Sequence, residues 1–264
     1  MGSAWISFTT DYGLDDGFVA ACHGVIARIA PRVRVIDVTH AVPAQRIRHG
    51  ASVLAQTVPY LPESVHLAVV DPGVGTARRG IVVVAERGLL VGPDNGLLVP
   101  AAEALGGVVA AYELTAPEYR LPAVSATFHG RDVFAPAAAH LTLGVTPPEF
   151  GPPVTEPVRL PEPVVRVRPG ELVSEVLVVD RFGNVQLAAT GEDLRAAGIE
   201  GRAAVEGMDV PVARTFGDVR VGEALLYPDS GGRLAVAING GSAAAALELS
   251  ADQEVTITSS PFAS

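Results

Sequence analysis

Three stretches of this sequence carry residues able to do chemistry, each where an apolar run gives out. The first is Thr9-Thr10-Asp11-Tyr12-Gly13-Leu14-Asp15-Asp16. An aspartate after an early strand can accept two hydrogen bonds from a sugar diol, and the same carboxylates can equally cap the next helix. The second is Val69-Val70-Asp71-Pro72-Gly73-Val74-Gly75-Thr76-Ala77-Arg78-Arg79-Gly80. Its glycines do not make a dinucleotide fingerprint, because a second strand-like run, Ile81 to Ala85, follows where that motif needs a helix. What remains is a carboxylate with an arginine seven residues on, either a closed turn with solvated arginines or a charged pair meeting a ligand. Spacing does not separate Arg78 from Arg79. The third is Ser125-Ala126-Thr127-Phe128-His129-Gly130-Arg131-Asp132, ahead of an apolar helical run that contains His140. A histidine among small and hydroxyl residues can act as a base. His23, His40, His49, His66 and His140 read as structural.

The C-terminal part adds Asp180-Arg181-Phe182-Gly183-Asn184, Tyr227-Pro228-Asp229-Ser230-Gly231-Gly232 and Asn239-Gly240-Gly241. An amide beside an aromatic ring suits a purine base, and the same residues suit hairpin turns.

The elements that must position these residues follow from periodicity. Apolar runs at Trp5–Phe8, Val33–Val38, Val65–Val70 and Ile81–Val84 alternate with helical patterns. In Asp15–Ala30 the apolar positions 18, 19, 22, 25, 26 and 29 predict a helix led by acidic residues. Strands alternating with helices predict an α/β domain with a mostly parallel sheet over residues 1–146. Eight prolines between Thr146 and Gly170 predict an extended linker, 147–170. Beyond it, short runs at 174–179, 203–205, 223–226, 234–238, 244–249 and 254–257 predict a smaller all-β, barrel-like domain over 171–264.

Composition removes several chemistries. All 19 basic residues are arginine, so no lysine Schiff base and no phosphate loop ending in Gly-Lys-Ser/Thr is available. A net charge of -10 disfavours binding nucleic acid through the overall field. The lone Cys22 and the absence of Cys-x-x-Cys predict a metal-free cytoplasmic fold. Met1-Gly2-Ser3 runs into a short apolar stretch without a basic leader, and no apolar run approaches the roughly 20 residues of a membrane span.

Taken in order, Thr-Thr-Asp-Tyr-Gly at 9–13, Asp-Val-Thr-His at 37–40, Val-Asp-Pro-Gly-Val-Gly-Thr at 70–76, Gly-Pro-Asp-Asn-Gly at 92–96, Thr-Phe-His-Gly-Arg-Asp at 127–132 and Asp-Arg-Phe-Gly-Asn at 180–184 resemble one family. It is that of the adenosine-forming S-adenosylmethionine hydrolases, or hydroxide adenosyltransferases, which are related to fluorinases and chlorinases. The resemblance spans essentially the whole chain. It implies an N-terminal α/β domain joined to a C-terminal β-barrel, and a homotrimer with the substrate held between subunits. S-adenosylmethionine is then substrate, with no cofactor and no metal.

The resemblance also implies roles. Asp71, Arg78 and His129 correspond to a catalytic set that the halogenases lack. Arg78 would polarise a water while His129, oriented by Asp71, takes its proton. Asp11 would hold the ribose hydroxyls, with Thr127 and Phe128 along the sugar. Asp16 and Asp180 would face the methionine part, and Phe182 and Asn184 the base or amino-acid end, with Tyr227 and Ser230 nearby. The ribose-contacting tryptophan of the halogenases corresponds to Gln45, a departure on that side of the sugar. Two other readings stay open at this stage: halide attack at the same carbon, and a non-catalytic adenosine-binding protein.

Overall fold

The computed structural model describes residues 4–260, so Met1-Gly2-Ser3 lies outside the described residues. The chain forms two units, Met1–Leu160 and Pro161–Ser264.

In the first unit, strands β1 (Trp5–Thr10), β2 (Arg34–Thr39), β3 (Val65–Val69), β4 (Gly80–Ala85), β5 (Gly88–Pro93) and β6 (Val108–Glu113) form one sheet in the order β2-β1-β3-β5-β4-β6. The β1–β2, β1–β3 and β3–β5 ladders are parallel, and β4 runs antiparallel to both neighbours. Helices α1 (Phe18–Ile29), α2 (Ile47–Thr57), α3 (Val99–Ala104) and α4 (Ala135–Thr142) cover it. The side-chain period of two sends Val65, Leu67 and Val69 of β3 into a core shared with Cys22 and Ile26 of α1 and Ala138 of α4. Ala68 and the following Val70 enter the opposite core, with Leu54 of α2 and Ala101 of α3. Burial on both faces is why β3 reads as a continuous apolar run.

The acidic residues do not begin α1. Asp15 and Asp16 are exposed ahead of it, and Gly17 takes the N-cap position without a side-chain hydrogen bond. Its buried stripe of Val19, Cys22, Val25 and Ile26 anchors the helix instead.

His66 in β3 is 1% exposed, with Nδ1 2.7 Å from Ser7 Oγ. Burial pushes its pKa down to about 4. The unfolded histidine, near 6.5, takes up a proton first, so this contribution to stability is full above that pH and is lost as pH falls toward 4. Roughly 3 kcal/mol is expected to go across that window. His66→Asn should flatten the pH dependence of the urea midpoint between pH 4 and 7. An unchanged slope in the variant would assign the loss to other groups.

The proline-rich stretch is divided between the units. It opens in a short 3₁₀ turn, Pro147–Phe150, closed by a Thr146/Glu149 capping box, with proline where no backbone donor is needed. It closes in a strand, β7 (Val165–Arg168), lying between Pro163 and Pro169 and pairing, among the described residues, with the next strand alone.

In the second unit, β8 (Glu171–Val179), β9 (Val185–Thr190), β10 (Arg202–Val205), β11 (Met208–Pro211), β12 (Ala224–Pro228), β13 (Arg233–Ile238) and β14 (Glu254–Ser259) form an antiparallel sheet ordered β11-β10-β14-β8-β9-β13-β12. A bridge between Val212 and Leu226 joins its two ends, giving a nearly closed barrel around Leu172, Val176, Leu187, Val236 and Ile257. The run 244–249, expected as a strand, instead follows the start of a helical turn, Ala243–Ala246, capped by Ser242 Oγ accepting from Ala245 N at 3.2 Å. Four consecutive alanines favour helix once a cap is present.

Candidate active site

Register brings the first two candidate stretches to one edge of the sheet. Thr10 of β1 lies opposite Val69 of β3, so Asp11 and Asp71 leave the sheet together. Because β4 runs antiparallel, its first residue Gly80 faces Pro93 at the end of β5, and Arg78 and Arg79 enter at that same edge. Carboxyl ends of strands are where open α/β sheets collect ligands. The third stretch joins them through a π-helical turn, Gly130–Phe134, that leads into α4. Gly80 has no side chain because the Phe134 ring stands there, and Gly130 has none because the Tyr12 hydroxyl does.

Asp71, Arg78 and His129 form a hydrogen-bonded chain. Arg78 Nε donates to Asp71 Oδ1 at 3.1 Å and Nη2 to Asp71 Oδ2 at 2.5 Å. Nη2 also donates to His129 Nδ1 at 3.1 Å, and Nη1 to the Arg79 carbonyl at 3.0 Å. The guanidinium lies 5.2 Å from the Phe134 ring centre. The ion pair is buried, its side chains 9% and 6% exposed. A guanidinium only donates, so Nδ1 is the acceptor and the neutral imidazole carries its proton on Nε2. Burial and the Arg78 charge hold His129 below the usual histidine value against the opposing pull of Asp71, so it is neutral at pH 7. Burial pushes the Asp71 carboxyl up, and the Arg78 contact opposes that push.

Arg79 is occupied differently. Its Nε and Nη2 donate to Asp94 Oδ2 at 2.9 and 2.5 Å, and Asp94 Oδ1 accepts from Val158 N at 2.8 Å. Asn95 Nδ2 donates to the Val70 carbonyl at 2.9 Å. The Gly-Pro-Asp-Asn-Gly motif at 92–96 therefore braces the loop ends and leaves Arg78 to the site.

A cleft of about 340 Å³ opens at this edge, and Asp11, Asp71, Thr127, Phe128 and His129 all line it. Arg78 lines an adjoining cleft of about 270 Å³, and His129 belongs to both. Gln45 lines the larger cleft and adopts φ +66, uncommon for a residue with a side chain. Its backbone N–H donates to Asp11 Oδ2 at 2.9 Å, orienting that carboxylate. Asp16 is exposed and outside the lining.

Sequence reasoning missed the aromatic wall. Phe128 packs edge-on against Phe18 at 5.2 Å and Tyr12 at 5.8 Å, and both line the larger cleft. Tyr12 belongs to the Thr-Thr-Asp-Tyr-Gly motif, and burial raises its pKa so that its hydroxyl stays protonated. Phe18 was absorbed into the apolar stripe of α1, yet it is 45% exposed. Asp132 was also missed: fully buried, it accepts from Ser125 N at 2.8 Å and from Arg131 Nε at 2.6 Å, closing the loop that presents His129.

In the second unit Asp180, Phe182 and Asn184 share one turn. Asp180 Oδ1 accepts from Phe182 N at 2.8 Å and Asn184 N at 2.9 Å, and Oδ2 from Asn184 Nδ2 at 2.7 Å. Phe182 projects, 68% exposed. Tyr227 belongs to the same end of the barrel, where burial and the charges of Asp180 and Asp229 raise its pKa. Ser230 is exposed beside Asp229.

Residues 6–151 match the family model described as the SAM hydroxide adenosyltransferase N-terminal domain, and residues 174–256 match its C-terminal domain. The chain is 59% identical over 261 residues to a Salinispora arenicola protein named (R)-S-adenosyl-L-methionine hydrolase, covering 96% of this chain and 97% of that one. It is 29% identical to a fluorinase from Actinoplanes, covering 97% of this chain and 98% of that one. A crystal structure of an uncharacterized conserved protein from Thermotoga maritima superposes with a TM-score of 0.88 at 37% identity, covering 96% of this chain and 99% of that one.

Proposed function

The chain belongs to the SAM hydroxide adenosyltransferase family, and we infer that it is an S-adenosyl-L-methionine hydrolase: water attacks the ribose C5′ and releases adenosine and L-methionine. The observation that carries the mechanism is the buried Asp71–Arg78–His129 chain at the edge of the cleft.

The sulfonium supplies its own positive charge, so the C–S bond breaks with its electron pair going to sulfur and methionine leaves neutral. No general acid and no cofactor is needed. The demand falls on the nucleophile, a water held in line with the C–S bond and relieved of a proton as the C–O bond forms. Neutral His129 accepts that proton. Arg78 stays charged and never competes for it, so it binds the water oxygen and favours the hydroxide form. Asp71 holds the guanidinium in place and balances its charge. In the resting chain Arg78 Nη2 donates directly to Nδ1. A water entering between them would accept from the first and donate to the second. That His129 borders both clefts supports this as the meeting point of water and substrate.

On this reading Asp11 takes the ribose hydroxyls, with Thr127 and Phe128 along the sugar. Asp16 and the second-unit residues Asp180, Phe182, Asn184, Tyr227 and Ser230 contact the methionine and adenine ends, within a homotrimer. Sedimentation equilibrium at three times the chain mass would bear this out. Among the described residues no helix is long and apolar enough to cross a membrane. A cytoplasmic location is the reading that suits the single, buried Cys22.

Incubation with S-adenosylmethionine in halide-free ¹⁸O water should give methionine and adenosine labelled at the 5′-hydroxyl. A 5′-halo-5′-deoxyadenosine formed only when halide is added would make the chain a halogenase. Tight adenosine binding without turnover at any pH would make it a binding protein.

A further inference from the structure

Read from sequence alone, His23 and His40 are structural. In the fold they converge with Asp37, and none of the three lines either cleft of the site. His23 comes from α1, Asp37 from β2, and His40 is the first residue after β2. Asp37 Oδ1 lies 2.9 Å from His23 Nε2 and 3.0 Å from His40 Nε2. One ligand atom from each residue falls within 4.8 Å of the other two.

Two features of His40 are unusual for an ordinary ion pair. Its side chain is 4% exposed, yet among the described residues its Nε2 makes no hydrogen bond, so the 3.0 Å approach to Asp37 lacks the alignment of one. A buried ring nitrogen in that state has an unmet partner. Its other nitrogen, Nδ1, lies 2.8 Å from Thr10 Oγ1. A hydroxyl that accepts Nδ1–H fixes the tautomer whose Nε2 lone pair is free, the arrangement by which second partners orient ligating imidazoles. His23 and Asp37, at 34% and 45% exposure, leave the opposite side open to solvent.

We propose that His23, Asp37 and His40 bind a divalent transition-metal ion, zinc by ligand type, with water completing the coordination. Two imidazoles and one carboxylate make a recognised three-ligand zinc set. Tetrahedral ligand atoms at zinc stand roughly 3.3–3.6 Å apart, given bonds of about 2.0–2.2 Å. The pairs at 2.9 and 3.0 Å reach that spacing by side-chain movements of a few tenths of an ångström. The ion takes no part in the hydrolysis. It pins α1 and β2 to the segment after His40, whose Ala44 and Gln45 line the larger cleft. The assignment does not rest on the hydrolase reading.

Full-length protein, stripped with chelator, dialysed and titrated with Zn²⁺ in a calorimeter, should bind one equivalent per chain. At about 100-fold excess over Kd the melting temperature should rise by roughly 5–10 °C. His23→Ala and Asp37→Asn, both at partly exposed positions, should weaken binding about ten-fold or more while melting like the stripped wild type. No binding by the wild type up to millimolar zinc would overturn the site. Equal affinity in wild type and both variants would also overturn it, by placing the ion elsewhere.

Discussion

Replacing Arg78 by alanine should lower kcat by about 10²–10³-fold with a much smaller change in KM, because the lost contact is to the nucleophile. The variant should also melt lower. Asp71 would stay buried without its bidentate partner, a change that typically costs about 3–5 kcal/mol. The two effects separate through Arg78→Lys, which keeps a positive charge but lacks the planar fork that reaches both carboxylate oxygens and Nδ1. The lysine variant should recover much of the stability and little of the turnover. Wild-type turnover in Arg78→Lys would show that a point charge suffices and that the fork has no catalytic role.

His129→Gln should slow turnover by about 10²–10⁴-fold, the usual range for losing a general base. It should also change the pH profile. The His129 pKa is held below 6.5 by burial and by Arg78. A protonated imidazole cannot accept from water, so wild-type kcat/KM should rise with pH through that depressed value and be level by neutrality. The acid limb should vanish in the variant, leaving a low rate that no longer follows one protonation. Steady-state rates from pH 4.5 to 8 would decide it, and a limb that survives in His129→Gln would assign the titration to another group.

The parts of the fold legible in the sequence are those with local causes. The alternation of apolar runs and helical stripes marked the parallel sheet, because strands buried on both faces leave a dense apolar signature. Shorter elements were harder to read. Strand β7 hid among prolines, since an edge strand tolerates them at its ends. The run after Ala243 looked like a strand until the Ser242 cap tipped its alanines into a helical turn. Asp15 and Asp16 looked like a helix start, but the apolar stripe decided where α1 begins. In the second unit the turn reading of Asp180-Arg181-Phe182-Gly183-Asn184 is realised, with both oxygens of Asp180 engaged by Phe182 and Asn184.

The sequence by itself determined which residues leave the sheet at strand ends, and that arginine is the only side chain permanently cationic at neutral pH available to meet a nucleophile. It did not decide which arginine. Arg78 and Arg79 are neighbours in the chain, and only the packed structure ties Arg79 to Asp94 and turns Arg78 toward Asp71 and His129. The sequence put Asp37 and His40 in one motif, Asp-Val-Thr-His, but did not join His23 to them. Both clusters depend on contacts between separate elements: the parallel register of β1 and β3, the reversed entry of β4, and the seating of α1 beside β2. Local periodicity specifies a side chain's face on its own element, whereas its distance to a residue 51 positions away is set by the packing of the whole core.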